Sequence, residues 1–229
     1  MKFFIITGTS SGIGKALALK LLRNSSYQIL GISRSKKIEH DNYNHLHYDL
    51  SLEHSDESFK AITDLVPENV DEVILINNAG TISPVSYIGG LPAKAVVESF
   101  YLNTINPLLI TNAVVRFSLE NKTLLSVVNI GTGASSKAID GWTTYCSTKA
   151  ALKMMTEVWA QEKKIKKWPF KFIDFVPGVV DTPMQESIRS SASDDFSLKS
   201  NFIKYKNDRI LESPNDTAVK IIKLLELNF

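Results

Sequence analysis

Tyr145 and Lys149 stand four positions apart in T-T-Y-C-S-T-K. The flanking residues, Thr144 to Thr156, favour a helix, and positions i and i+4 share one helix face. Phenol and ammonium would then point the same way. A free tyrosine titrates near pH ~10, too high for easy proton exchange near neutrality, and a nearby ammonium favours the phenolate. The pair could therefore form a tuned general acid. An isolated Y-x-x-x-K is more often a half-exposed tyrosine beside a solvated lysine, so the remaining chemistry of the chain has to decide.

A second constellation lies near the start. Phe3 to Ile6 is a short apolar run, suited to a strand buried on both faces. It leads into G-T-S-S-G-I-G, with glycines at 8, 12 and 14, and then into helix formers from Lys15 to Arg23. Strand, glycine turn and helix form the setting in which such a loop binds phosphate. The backbone can approach a pyrophosphate, and the helix N-terminus favours its charge. The spacing is G-x-x-x-G-x-G, not the G-x-G-x-x-G of the common dinucleotide fingerprint. Tyr27 to Ser33 reads as a second strand. At its tip, where an acidic residue would hold the 2′-hydroxyl of NAD, stand Ser33, Arg34 and Ser35. A guanidinium there suits a phosphate; the plain alternative is a solvated basic loop.

The other elements must bring these groups together. Leu46 to Leu50 reads as a third strand, with Asp49 poised to meet an adenine. Glu53 to Val66 reads as a helix. Glu72 to Ile76 is a strand followed by Asn77-Asn78-Ala79-Gly80, small enough for a flat ring to lie against. A long helix is expected from Ala93 to Leu119 with Pro107 inside it. The proline deprives the carbonyl of Asn103 of its helical partner. That carbonyl, and the Asn103 side chain, could hold a water or ligand; a simple kink is the alternative. Leu124–Ile130 and Phe170–Val176 read as strands five and six, the latter running into P-G-V-V-D-T-P-M. Residues 184–211, rich in Ser and Asp, read as a mobile lid. Ser213 is the expected N-cap, and Pro214 the first-turn residue, of a last helix reaching Leu227. After it only Asn228 and Phe229 remain, too few for a strand of about 5–6 residues.

Bulk properties exclude several classes. At 229 residues, residues 1–229 are expected to form a single α/β domain. The net charge of +2 and the absence of a basic stripe with interleaved aromatics argue against nucleic acid. Lys163, Lys164, Lys166 and Lys167 suit a helix C-terminus. One cysteine, Cys146, excludes an internal disulfide and is consistent with a reducing compartment. No apolar run approaches the ~20 residues of a membrane span, so a cytoplasmic protein is expected. His40, His45, His47 and His54 cluster in the sequence, but no carboxylate or cysteine completes a ligand set, and no metal is expected.

Taken together, Thr7–Gly14, Asp49, N-N-A-G at 77–80, Asn103, Tyr145-x-x-x-Lys149 and P-G-V-V-D-T at 177–182 resemble the short-chain dehydrogenase/reductase family over essentially the whole chain. G-W-T-T-Y-C-S-T-K and P-G-V-V-D-T-P-M-Q look most like its benzil reductase and sepiapterin reductase branch. The resemblance implies a doubly wound, Rossmann-type parallel sheet of order 3-2-1-4-5-6, here without the usual seventh strand, and an NADP(H) cofactor. Tyr145 would protonate a substrate carbonyl as hydride reaches its carbon. Lys149 would lower the Tyr145 pKa and hold the nicotinamide ribose. Asn103 would anchor a water relaying protons to Lys149. Gly8, Ser10, Ser11, Gly12, Ile13 and Gly14 would line the pyrophosphate. Ser33 and Arg34 would take the ribose phosphate. Asp49, Leu50, Asn78, Ala79 and Gly80 would frame the adenosine side. Val180 and Thr182 would hold the carboxamide, with Pro177 and Gly178 also on the cofactor.

One position departs from the family pattern, because Thr132 stands where a serine is usual; Ser135 is the substitute candidate for carbonyl donor. The function so implied is NADPH-dependent reduction of a ketone or diketone, in a pocket walled by Pro84, Ile139, Trp142 and the lid. A homodimer is expected through the helices 93–119 and 142–163. The competing functions are a catalytically silent NADP(H)-binding sensor or scaffold, and a sugar-nucleotide epimerase, which shares Y-x-x-x-K but has a longer C-terminal region.

Overall fold

In strand β1 (Lys2–Thr7), Phe3 and Ile5 join one apolar cluster while Phe4 and Ile6 join another. This is the period-two alternation of a strand whose two faces are both covered. The computed structural model describes residues 1–192 and 195–227. Five further strands run parallel to β1: β2 (Tyr27–Ser33), β3 (Tyr43–His47), β4 (Glu72–Asn77), β5 (Leu124–Ile130) and β6 (Phe170–Phe175). Their order is β3-β2-β1-β4-β5-β6, the doubly wound arrangement expected. Among the described residues the sheet has six strands; Asn228 and Phe229, on which the expectation of a missing seventh strand turned, lie outside them.

Helices α1 (Gly12–Leu21) and α8 (Pro214–Leu224) cover one face, with Leu17, Ala18, Ala218 and Ile221 against Phe4, Ile29 and Ile74. Helices α2 (Asp56–Thr63) and α4 (Asn106–Asn121) cover the other, with Phe59, Ile62, Ile110 and Val114 against Phe3, Ile5 and Leu75. Ser213 caps α8 as expected, its hydroxyl accepting from the Asp216 amide at 3.1 Å. No helix among the described residues is long and apolar enough to cross a membrane.

Four expectations need correction. β3 lies earlier than Leu46–Leu50, because its ladder follows β2 from Ile29↔Tyr43 to Ser33↔His47 and ends where β2 ends; Asp49 is on the loop beyond. α2 is shorter than Glu53–Val66, starting after Ser55. The long helix is broken into α3 (Ala93–Phe100), a π turn (Tyr101–Ile105) and α4, with Pro107 in the first turn of α4. A wide turn before the proline absorbs its missing N–H without a bare kink. Residues 184–211 are not a featureless lid: α6 (Pro183–Ser190) and α7 (Lys199–Asn207) occupy most of the stretch. Ile188 and Phe196 are buried with Ile82, Trp142 and Tyr145 in a third apolar cluster. Each such side chain contributes roughly 1.5–3 kcal/mol on burial, which outweighs the polar composition around it. Ser193 and Asp194 of that stretch lie outside the described residues.

Candidate active site

The strand ends that carry β1, β4 and β5 into their loops open on a cavity of ≈ 890 Å³. It lies outside the carboxyl ends of the strands, beside the β1/β4 switch point, where doubly wound sheets hold ligands.

Helix α5 (Thr143–Lys166) brings Tyr145 and Lys149 to the cavity wall. Both are buried. Tyr145 packs edge-on against Trp142, with ring centroids 5.6 Å apart. Lys149 Nζ donates to the Ile130 carbonyl at 2.8 Å. Burial drives the Lys149 ammonium down to about 8, with the Asp174 carboxylate pulling the other way. Burial pushes the Tyr145 phenol up; the Thr132 hydroxyl beside it pulls down and Cys146 adds a small push upward. The phenol is thus raised overall, against the lowering expected from sequence. The ammonium is engaged by a backbone carbonyl, and desolvation dominates.

Thr132 ends the β5 loop as the N-cap of a short 3₁₀ turn, Gly133–Ser136, and its hydroxyl accepts weakly from the Ala134 amide at 3.3 Å. It lines the cavity. Ser135 does not, and its hydroxyl donates to the Thr132 carbonyl at 2.7 Å. Asn103 is fully buried behind the wall. Its Oδ1 accepts from the Thr81 amide at 2.9 Å, and its Nδ2 donates to the Thr81 carbonyl at 2.8 Å, with Ser99 and Thr148 hydroxyls at 3.2 Å. Both ends of the Asn103 amide are thus engaged by the Thr81 backbone, which holds the side chain to the scaffold. A Cβ at Gly80 would fall 3.1 Å from Asn103 Oδ1 and 3.7 Å from Lys149 Nζ. Gly80 thus lets asparagine and lysine approach the same spot.

The glycine loop shows which glycine does what. Gly8 (φ 76°) and Gly12 (φ 56°) adopt left-handed backbone, which favours glycine. Ser10, Ser11 and Ile13 join them along the cavity. Gly14 does not. A Cβ there would sit 2.4 Å from Asn78 Nδ2 and 2.5 Å from the Gly8 carbonyl, so Gly14 serves close packing of α1 against the loops rather than cofactor contact. Asn78 ties those loops together, its Nδ2 donating to the Thr7 carbonyl at 2.8 Å. The site fits a dinucleotide on its own geometry. Ser11 makes no side-chain cap to α1, and no acidic residue stands in the first turn, which leaves the helix N-terminal amides for a pyrophosphate.

Ser33, Arg34, Asp49 and Leu50 line the far end, with Asn78, Ala79 and Gly80 between the two ends. Arg34 is exposed and makes no ion pair among the described residues. Burial acts to raise the Asp49 carboxyl, but the Ser51 hydroxyl and amide, and then the Arg34 charge, outweigh it and hold it low. Asp49 Oδ1 accepts from Ser51 N at 3.0 Å and Oγ at 2.7 Å. His45 Nε2 lies 3.1 Å from the Ser33 hydroxyl, and the His54 ring stacks on Tyr48 at 4.0 Å. Sequence reading gave neither of these two histidines a role at the site.

Pro177, Gly178, Val180 and Thr182 line the cavity beside Lys149. The Val180 loop is held to Glu212 by an isolated bridge. At the apolar end are Ile139 and Trp142, as expected, but not Pro84; Ile82 and Ser83 take its place, while Pro84 is buried elsewhere. Trp142 stacks on Phe196 (5.0 Å) and meets Phe202 (5.5 Å), which in turn meets Tyr205 (5.5 Å). Phe202 and Tyr205 were missed; their i, i+3 spacing on one helix face was the available signal.

A family model described as short chain dehydrogenase matches residues 2–193. Benzil reductase ((S)-benzoin forming) of Bacillus cereus is 37% identical over 99% of this chain and 94% of its own length. The protein of the same description from Bacillus subtilis (strain 168) is 33% identical over the same shares. The crystal structure of the KRED1-Pglu enzyme superposes with a TM-score of 0.84 at 24% identity, covering 98% of this chain and 94% of that one. Solved structures of this fold carry NADP+ in one case and NADH in another. The match spans most of the sequence, so the chain belongs to the short chain dehydrogenase family and is an oxidoreductase of the kind that uses a nicotinamide cofactor.

Proposed function

We propose that the chain is an NADPH-dependent carbonyl reductase that converts a ketone or diketone to an alcohol, with Tyr145 as general acid. The observation that carries this is that Tyr145 and Thr132 both line the cavity wall between the glycine loop and an apolar, aromatic pocket. When bound, the reduced nicotinamide supplies hydride to the carbonyl carbon. Thr132 donates a hydrogen bond to the carbonyl oxygen, and Tyr145 delivers a proton to it as negative charge develops. Burial raises the phenol pKa, so Tyr145 is protonated near neutrality; the Thr132 hydroxyl works against that rise and toward proton release. Lys149 holds its charge close by. Ser135 is set aside as donor because its hydroxyl is already committed to Thr132.

The choice of NADPH rests on Arg34 and Ser33 at the end of β2, with no carboxylate there to meet a ribose 2′-hydroxyl. An aromatic diketone is the first substrate to try. The Trp142, Phe196 and Phe202 wall suits stacked aryl groups, and both Bacillus relatives are described as benzil reductases. The assay is loss of the reduced-nicotinamide absorbance with benzil and other aryl ketones. Oxidation of NADPH with formation of the matching alcohol supports the reading, and silence across a broad carbonyl panel favours a cofactor sensor instead.

We read residues 1–229 as one unit, because both apolar clusters rest on a single sheet, and place it in the cytoplasm on its single, unpaired cysteine. We also read it as a homodimer through the helices around 93–121 and 143–166. Exposed Val97, Leu119, Met154 and Val158 offer the apolar surface. Val114, on the same helix as Leu119, faces the core instead.

A further inference from the structure

Gly131 lies between Ile130, whose carbonyl holds Lys149, and Thr132. A Cβ at Gly131 would stand 2.2 Å from Asp174 Oδ1 and 2.9 Å from its Cγ. The Asp174 carboxylate therefore occupies the space that any side chain at 131 would need. β6 sets it there through the register Asn129↔Asp174 and Ile130↔Phe175. Carboxylate and ammonium thus meet adjacent residues at one strand end. Asp174 is not part of the cavity lining, and no donor among the described residues hydrogen-bonds its carboxylate. A partly buried carboxylate without donors is costly unless cations compensate it.

We infer that Asp174 is a positioning residue that keeps Lys149 charged and so sets the pH range over which the Tyr145–Lys149 pair can deliver a proton. This rests on the carbonyl-reductase reading above. The charged groups around the pair come from two elements. α5 supplies Lys149, Lys153 and Glu157, with Tyr145 and Cys146 as its titratable neighbours, and β6 supplies Asp174. The groups facing Lys149 from Gly80 and the π turn are uncharged. Burial raises the Asp174 carboxyl; Lys149 first, then Lys153, pull it down, and Glu157 pushes it up. Of the two cations Lys149 acts on the carboxylate more strongly and is its main counter-charge. In the other direction, Asp174 is the charge that opposes the desolvation of Lys149. Without it, Lys149 would lose its proton closer to neutrality.

Asp174→Asn removes the charge and keeps the shape. With lysine labelled at ¹³Cε and the Lys149 resonance identified by Lys149→Met, NMR titration of the protein without cofactor should show Lys149 deprotonating about one pH unit lower in Asp174→Asn. The alkaline limb of the kcat profile should move the same way. An unchanged Lys149 titration in a variant that still reduces carbonyls overturns the inference alone. If no carbonyl is reduced by the wild type but the NMR shift is found, the electrostatic coupling stands and the carbonyl-reductase reading falls. Should Asp174→Asn fail to fold, the wild-type ¹³Cγ resonance of Asp174 decides. A second step coinciding with Lys149 deprotonation supports the coupling, and its absence overturns it.

Discussion

Lys149 Nζ donates to the Ile130 carbonyl at 2.8 Å, in a residue only 5% exposed. One neutral acceptor and a carboxylate on the next strand do not replace the water an ammonium loses, which is why its pKa falls from 10.5 to about 8. The charge is held at the site at the expense of folding stability.

That cost has a pH signature. Below pH 8 Lys149 is charged in both states and its burial penalty is fully present. Between about 8 and 10.5 the folded state has lost the proton and the unfolded state has not. Unfolding then takes up a proton, so stability rises with pH. Relative to Lys149→Met, the wild type should gain up to on the order of 3 kcal/mol across that window. Denaturant melts of both proteins at pH 7 and pH 10 measure it, and a constant difference would show that Lys149 is not desolvated.

Thr132 should be the carbonyl donor. Thr132→Ser should retain activity, whereas Thr132→Val, which keeps the shape and removes the hydroxyl, should lose about 10²-fold in kcat, in the range of one lost oxyanion donor. Ser135→Ala should stay within a few fold of wild type. The reverse pattern, with Thr132→Val active and Ser135→Ala dead, would exchange the roles.

Much of this site was legible because its residues are local in sequence. Tyr145 and Lys149 need only a helix to align them, and the glycine loop needs only its flanking strand and helix. What the sequence hid depends on contacts between distant segments. Gly14 looks like its loop neighbours until Asn78 and Gly8 are seen pressed against it. Asn103 looks free until Thr81, brought in by the β4 loop, takes both ends of its amide. The stretch 184–211 reads as polar and loose because Ile188 and Phe196 are isolated in sequence and find their partners only over Trp142. The opposition between burial and Asp174 at Lys149 is likewise invisible without the β5/β6 register.

Arg34→Ala should weaken NADPH binding at least ~10-fold while leaving NADH nearly unchanged, since a charge-assisted contact to phosphate is worth about 1.5–3 kcal/mol. Fluorescence titration with both cofactors tests it. A wild-type preference for NADH would contradict the assignment of Arg34.

Light scattering at micromolar concentration should give roughly twice the chain mass, because pairing of the α4 and α5 faces about a two-fold axis closes on itself. Met154→Glu with Val158→Glu, both exposed on α5, should yield monomers that keep their fold by circular dichroism. A wild-type monomer, or a double variant that still dimerises, would move the interface elsewhere.

The most direct test of the central claim compares Tyr145→Phe with wild type on a substrate the wild type reduces, with NADPH oxidation followed in single turnover and NADPH affinity measured alongside. The phenylalanine keeps the ring against Trp142 and removes the proton. The expected result is a loss of at least ~10²-fold in the reduction rate with NADPH affinity within a few fold of wild type. Reduction at the wild-type rate by Tyr145→Phe would contradict the account.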